Sequence, residues 1–438
     1  MEKWINFKVN KRFKESVEIT NFKFFLLSEF NILIKYSMLH EKKIKKCNSL
    51  ILRLFYKYFC KILPSNYIFE IRKTKQRVDT LFSSNLFLQF PEGMGKFYED
   101  LKKIFKKISK TIFSIAVSCQ ITYGACCIQD CLAKIFCSTL VIHYGHSCLI
   151  SILNCIVSII YIFVEVKYDF SFLTETMREI FTKKNDKLMI TSTIQFSSEL
   201  KLIKSCLSKI FNILHIPQTK PLSPGEVLGC TSFSTKNQSG VLYIGDGKFH
   251  IESVLFFNPN VKIVQFNPLN RSIVQIGFKF IEAIVEREYF IEKGLFFSKS
   301  CNIIFGALGR QGSVKILKTV KFLAGLRKIK PNIFITTEID SNRLGTLSGN
   351  FNNIWVQLSC PRISLDWGFY FKNLIITPFE FAILTRSVKS NPKFIPMDFY
   401  SKIGKFWTSY STLKVHFIVE VEGKFLILKK YNYFKNFI

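Results

Sequence analysis

Acidic residues are scarce in this chain: 31 Asp and Glu stand against 62 Lys and Arg, a formal charge of +31 over 438 residues. A surplus of that size ordinarily points to nucleic acid or an acidic surface. The patterns that would sharpen that reading are missing, because no RNP, helix-turn-helix or zinc-finger spacing occurs. The charge is spread rather than clustered. Lys, Ile, Phe and Asn are abundant along the whole length, as an AT-rich coding bias produces, and we expect no direct nucleic-acid contact. Long apolar runs are rare too. Met1–Asn10 is charged and amphiphilic, with neither an apolar h-region nor a small-residue cleavage site. Only Leu149–Val166 reaches 18 residues with a single charge, Glu165. It contains Ser151, Asn154 and Ser158, and Ile156–Val166 is dense in Ile and Val, which suits a buried parallel strand better than a membrane span. No membrane association is expected. With 48% hydrophobic and 15% aromatic residues, the chain is not a disordered one.

Cysteine is plentiful, but its usual arrangements are absent. Thirteen is an odd number, and with no secretory leader expected, free thiols in the cytoplasm fit better than a disulfide framework. Cys119, Cys126, Cys127, Cys131, Cys137, His143, His146 and Cys148 are crowded together and are candidates for a zinc site. Zinc sites show two Cys-x2–4-Cys knuckles, and here Cys127-x3-Cys131 has that form with no separate second pair to match it. The local Cys-x3-Cys-x2-Cys run of radical S-adenosylmethionine enzymes is also missing, since Lys134 occupies its third position. If an iron–sulfur cluster exists, its ligands come from distant loops. Cys47, Cys60, Cys155, Cys206 and Cys301 read as small buried hydrophobes.

From about residue 80 onward the chain repeats a strand–loop–helix pattern, which implies parallel sheets. The first unit has a strand at Thr111–Val117, a helix through Leu132–Leu140 and a strand at Ile156–Val166. The second has Leu188–Ile194, a helix at Glu199–Leu214, and strands at Gly240–Ile244 and Val261–Phe266. The third has Asn302–Gly306, a helix at Val314–Ile329, and strands at Asn332–Thr337 and Ile354–Leu358. We expect an α/β protein of three similar domains, each a parallel β-sheet flanked by helices. The boundaries would be a basic N-terminal extension at 1–80, domains at 81–180, 181–298 and 299–415, and a C-terminal tail at 416–438.

Each expected domain carries one thiol beside Gly, Ser or Pro at a strand-to-loop junction. The stretches are Thr122-Tyr-Gly-Ala-Cys126-Cys127, Gly225-Glu-Val-Leu-Gly-Cys230-Thr231 and Val356-Gln-Leu-Ser-Cys360-Pro361-Arg362. Open α/β sheets present reactive groups at such junctions. Three converging thiolates can hold a four-iron cluster and leave one iron open to a substrate. Two glycine-rich loops follow strands, Tyr243-Ile-Gly-Asp-Gly-Lys-Phe-His250 and Phe305-Gly-Ala-Leu-Gly-Arg-Gln-Gly312. Glycine lets backbone N–H groups approach an anionic ligand. Asp246 and His250 could bind a ribose or an amino group, or Asp246 could simply stabilise its turn. His143-Tyr-Gly-His146 reads as a loop after the first helix, either capping a turn or standing near a cluster.

Taken in order, these pieces resemble the 3-amino-3-carboxypropyl-transferring enzymes of diphthamide biosynthesis. The matching stretches are Leu63-Pro-Ser-Asn-Tyr67 with Phe69-Glu-Ile71 and Lys73-Thr74; Leu88-Gln-Phe-Pro-Glu-Gly93; Thr122–Cys127; and His143-Tyr-Gly-His-Ser-Cys-Leu149. Further along come Leu222–Cys230, Tyr243–His250 with Glu252-Ser253, Gly309-Arg-Gln-Gly-Ser313, Cys360-Pro-Arg362 with Asp366-Trp-Gly368, and Thr377-Pro-Phe-Glu380. The resemblance implies a 4Fe–4S cluster at the domain junction, held by Cys126, Cys230 and Cys360. It also implies transfer of the 3-amino-3-carboxypropyl group of S-adenosylmethionine to a histidine of translation elongation factor 2, with methylthioadenosine left behind. Asp246, His250, Gln311, Gly312 and Arg362 are the candidate contacts to S-adenosylmethionine. All three cysteines are present, which resembles the family's subunit 1 and implies a heterodimer with subunit 2 and a small metal-binding electron donor.

The chain departs from the family pattern in three places. Ile128-Gln129-Asp130 has one acid where two are usual, Gln265-Phe-Asn-Pro268 replaces a more polar segment, and Thr337-Glu-Ile-Asp340 lacks the usual Pro and Lys. Two other readings stay open: a non-catalytic scaffold subunit binding zinc or no metal, and a basic ribosome- or RNA-binding protein.

Overall fold

The computed structural model describes residues 63–410, apart from 110, 120–123, 148, 184, 236, 277–299 (save 287 and 291), 349–353, 372 and 389–393. It also describes the strands of a C-terminal hairpin. Most of the expected extension, with Cys47 and Cys60, lies outside the described residues, as do Thr122, Tyr123 and Cys148.

Among the described residues, seventeen strands build the framework. The first sheet takes β2 (Asn85–Gln89), β3 (Ser114–Ser118), β4 (Leu140–Tyr144) and β5 (Ser158–Ile162), in the order β3-β2-β4-β5 and all parallel. A small antiparallel pair, β1 (Tyr67–Ile68) with β6 (Glu165–Val166), flanks it. The second sheet takes β7 (Lys187–Ser192), β8 (Ile213–His215), β9 (Gly240–Ile244), β10 (Lys262–Asn267) and β11 (Ser272–Ile276). Its order is β11-β10-β9-β7-β8, parallel except for the β11 edge. The third takes β12 (Ser300–Gly306), β13 (Lys330–Thr336), β14 (Ile354–Gln357) and β15 (Ile375–Ile376), parallel in the order β13-β12-β14-β15. The hairpin pairs β16 (Phe417–Val421) with β17 (Lys424–Leu428).

Counted within each sheet, the strand order is the same three times: second, first, third, fourth. Such an order reverses between the first and third strands, and the crevice beyond their carboxyl ends is where open α/β sheets bind ligands. The central strands are apolar on both faces because helices cover them. Leu86, Phe87 and Leu88 of β2 and Val241 to Ile244 of β9 are fully buried. The helix Tyr98–Ile108 buries Leu101, Ile104 and Phe105 at i, i+3, i+4 spacing. It carries Glu99 and Asp100 in its first turn and Lys106 and Lys107 in its last, matching the helix dipole.

Three expected elements are bounded differently in the structure. The helix expected over Leu132–Leu140 stops at Ile135; Cys137 takes φ 53°, and Leu140–Tyr144 becomes β4 at the centre of the first sheet. His143 is therefore a strand residue rather than a loop one. β-Branched Val141 and Ile142, buried on both sides of the pleat, outweigh the local helical pattern. The helix expected over Glu199–Leu214 likewise ends at Leu207, and Ile213–His215 forms an edge strand. Ile156–Val166 divides into β5 and β6, with Val164 at φ 55° between them. Among the described residues no helix is long and apolar enough to cross a membrane.

The largest core cluster is not inside one sheet but between all three. It gathers Cys126, Cys127 and Leu149 from the first, Leu222 and Leu228 from the second, and Ile303, Val356 and Leu358 from the third. Phe399, Tyr400, Phe406 and Trp407 of the C-terminal segment complete it.

Candidate functional site

The three cysteine stretches converge on this shared core, and each is fixed by bonds to a neighbouring loop. In the first, Gln89 at the end of β2 donates from Nε2 to the Cys127 carbonyl at 2.6 Å and accepts from the Gln129 N–H at 3.2 Å. The Arg310 N–H donates to the Cys126 carbonyl at 2.9 Å. Arg310 also pairs its guanidinium with the buried Asp130 at 2.7 Å. Gly309 makes this approach possible: its φ is +56°, and a Cβ there would stand 2.6 Å from the Cys127 Cα. A cleft of about 380 Å3, lined by Cys127, Asp130, Cys131, Gly309 and Arg310, opens beside the two loops.

The second and third stretches are tied by Arg362. Cys360 is the N-cap of the helix Pro361–Trp367, which places Arg362 in its first turn. Its Nε donates to both Asp366 oxygens at 2.8 and 2.9 Å, and Nη1 to the carbonyls of Phe249 (2.7 Å) and Gly229 (3.4 Å). Nη2 donates to the Glu252 carboxylate. The Phe249 ring stacks on the guanidinium at 4.5 Å. Gly229 precedes Cys230, and a Cβ there would collide with the Phe249 ring at 2.1 Å. Arg362 thus joins the Cys360 helix to the Cys230 loop. Gln357 at the end of β14 holds the other side, donating to the Cys360 carbonyl at 3.0 Å and accepting from the Ser359 N–H at 2.8 Å.

The thiols feel one another. Burial pushes Cys230 up to about 12, with the Cys126 sulfur adding to the shift. Cys360 is raised by burial and then by Cys230 and Cys126. Cys126 moves the other way, lowered chiefly by a bond from the Cys127 thiol. Metal binding removes thiol protons, so loading such a site releases protons and depends on pH. Cys119, Cys131 and Cys137 are exposed, Cys155 is intermediate and Cys301 is buried in the core. Among the described residues no three of His, Cys, Asp and Glu close on one point as a single metal ion requires.

The remaining expected contacts are distributed unevenly. Gln311 is buried and directs Nε2 to the Cys127 sulfur at 3.8 Å. Gly312 packs against its own chain, where a Cβ would meet the Gly306 carbonyl at 2.4 Å. His250 opens the helix Phe249–Phe257 and is lowered to about 4 by burial and then by Arg362. Asp246 stands exposed on the turn that Gln265 braces through the Gly245 and Gly247 carbonyls. His143 and His146 lie with ring centroids 5.1 Å apart, and His146 is lowered to about 4 by burial. The Gly124 backbone lies against the His146 ring, where a Cβ would come within 2.0 Å. The histidine pair therefore flanks the Cys126 loop.

Tyr400 was not foreseen. It is held by its N–H to Thr231 Oγ1 at 3.1 Å, while the Phe399 N–H donates to the Cys230 carbonyl at 3.1 Å. Burial raises its hydroxyl well above the usual tyrosine range, and Cys126, Cys230 and Cys360 add to the shift. Pro396-Met-Asp-Phe-Tyr400 has no motif to announce this; only the return of the chain to the second sheet brings it there.

Fold and site define a three-sheet α/β protein that converges three loop thiols in a buried centre. A family model described as putative diphthamide synthesis protein matches residues 90–395. The 2-(3-amino-3-carboxypropyl)histidine synthase subunit 1 of Dictyostelium discoideum is 38% identical over 360 residues, 80% of this chain and 75% of that protein. The Homo sapiens protein of the same name is 35% identical, over 80% and 78%. Two crystal structures of Dph2 from Pyrococcus horikoshii share the fold. One has a TM-score of 0.60 at 21% identity, covering 73% of this chain and 91% of that one. The other, with a 4Fe-4S cluster, has a TM-score of 0.61 at 22% identity, covering 74% and 92%. The chain belongs to the diphthamide synthesis protein family.

Proposed function

We propose that this chain transfers the 3-amino-3-carboxypropyl group of S-adenosylmethionine to a histidine of translation elongation factor 2, the first step of diphthamide biosynthesis. Cys126, Cys230 and Cys360 hold a 4Fe–4S cluster. One observation carries the assignment of ligands: three thiols from three sheets share a buried core and perturb one another.

The donor set fits such a cluster. It is all sulfur, which suits iron–sulfur chemistry, and three thiolates leave one iron for the substrate. When bound, the cluster supplies an electron for reductive cleavage of the bond between the sulfonium sulfur and the methionine γ-carbon.

The chain's own residues do the rest. Arg362 spends its donors on Glu252, Asp366 and two carbonyls, so it sets the distance between the Cys230 and Cys360 loops. Gln311 offers an amide beside the thiols, and His250 supplies a neutral imidazole near Arg362. Asp246 and Gly312 belong to the loops that frame the substrate. The apolar lining from Phe399, Phe406 and Trp407 excludes water, which protects a reactive fragment from side reactions. The domains are 81–180, 181–298 and 299–415, each giving one ligand, with 1–80 and 416–438 as flanking segments. The protein works in the cytoplasm as a heterodimer with the family's subunit 2, supplied with electrons by a small metal-binding protein.

The test is an anaerobic assay of the chain co-expressed with subunit 2 and given reductant, S-adenosylmethionine and elongation factor 2. Methylthioadenosine should form and be lost on Cys230→Ala. Formation of 5′-deoxyadenosine would overturn the proposed cleavage. Neither product, from protein holding iron and sulfide, would favour a scaffold subunit.

A further inference from the structure

Among the polar groups of the three-thiol centre, the Tyr400 side chain has no accounted purpose. Tyr400 is 2% exposed, and its hydroxyl makes no full hydrogen bond in the structure. Leaving a buried hydroxyl unpaired costs about 1–3 kcal/mol. The ring cannot turn away to find a partner. It packs edge-on to Phe399 at 5.0 Å and against Tyr410 at 5.4 Å. The backbone beside it is fastened to Thr231 and Cys230. The hydroxyl is therefore held rigidly in the core that Cys126 and Cys230 share, and both thiols push its acidity further in the direction that burial does.

We infer that the Tyr400 hydroxyl donates a hydrogen bond to the Cys126 sulfur once that sulfur is a thiolate, and thereby raises the reduction potential of the cluster. The inference rests on the proposed ligand assignment. A thiol is a weak acceptor and a thiolate a strong one, so this buried hydroxyl gains a partner when metal binding removes the Cys126 proton. Hydrogen bonds to ligand sulfur withdraw charge from it and favour the reduced, more negative cluster. Tyr400 is a positioning residue in this role, acting through Cys126.

The experiment is a spectroscopically monitored redox titration of the reconstituted heterodimer, wild type against Tyr400→Phe, with iron and sulfide measured on both. Phenylalanine keeps the packing and removes only the oxygen. The expected result is equal iron and sulfide and a more negative midpoint potential in Y400F. Incorporation of 3-fluorotyrosine at position 400, a stronger donor of the same shape, should move the potential the other way. An unchanged potential in both variants overturns the inference while leaving the ligand assignment standing. If Y400F fails to hold iron, the sign of the fluorotyrosine shift decides. A wild-type protein without iron and sulfide overturns the ligand assignment and this inference with it.

Discussion

Arg362 and Glu252 meet in a buried ion pair across two sheets, with side-chain exposures of 4% and 17%. One comes from the helix that Cys360 caps, the other from the helix that follows the Asp246 turn. Removing one partner of such a pair strands the other charge in low dielectric, at a cost of about 3–5 kcal/mol. Arg362→Gln should lose stability on that order in urea unfolding and should retain less iron than wild type. Glu252→Gln should cost less, because Arg362 keeps Asp366 and two carbonyls.

Gly309 and Gly325 make a matched pair of alanine tests. At Gly309 the backbone is left-handed and a Cβ would press on Cys127 Cα and the Cys126 carbonyl at 2.6 and 2.8 Å. Gly309→Ala should destabilise by about 1–3 kcal/mol and lower iron content, since the loop carrying Cys126 must shift. Gly325 lies in the helix Val314–Leu326 with open space around it. There, alanine should add about 0.5–1 kcal/mol and leave iron content unchanged.

Iron binding should separate the cysteines. Alanine at Cys126, Cys230 or Cys360 should abolish stoichiometric iron and sulfide after anaerobic reconstitution. Alanine at Cys131 or Cys137, both exposed, should not. Retention of full iron by C360A would show that the cluster is held elsewhere.

Stability should fall as the pH drops below 6.5. His146 and His250 are depressed to about 4 by burial, and His143 moves in the same direction. Between about 4 and 6.5 the unfolded chain takes up protons that the folded one refuses, so acidification favours unfolding. Two acids oppose this. Burial raises Asp398 to about 6 and also raises Glu226, so below about pH 6 the folded state binds protons there that the unfolded chain has released. The loss should thus be steepest just below pH 6.5, and the melting temperature of the apoprotein should be flat from there to about pH 8, above which the raised thiols reverse the trend. His250→Gln should make the fall shallower; an unaltered slope would mean that His250 is not neutral when buried.

The repeated strand–loop–helix pattern was legible because fully buried strands are apolar throughout. Gly240–Ile244 and Ile354–Gln357 match their expected strands within a residue. β4 was hidden, because Leu140–Tyr144 follows a helical stretch without a Gly or Pro to separate them, and Cys137 makes the turn at positive φ instead. The expected helix end at Ile329 also overran the observed Leu326.

The sequence by itself determined the chemistry available: three thiols in Gly-, Ser- and Pro-flanked loops after apolar strands, in an order that resembles one family. Those features depend on local residue types and their spacing, so they can be read along the chain. Only the tertiary structure decided that these thiols share one core, that Arg362 is occupied by Glu252, Asp366 and two carbonyls, and that Tyr400 joins the core that holds Cys126. Each of those depends on contacts between sheets far apart in sequence, where burial and charge are set by neighbours that no local pattern names.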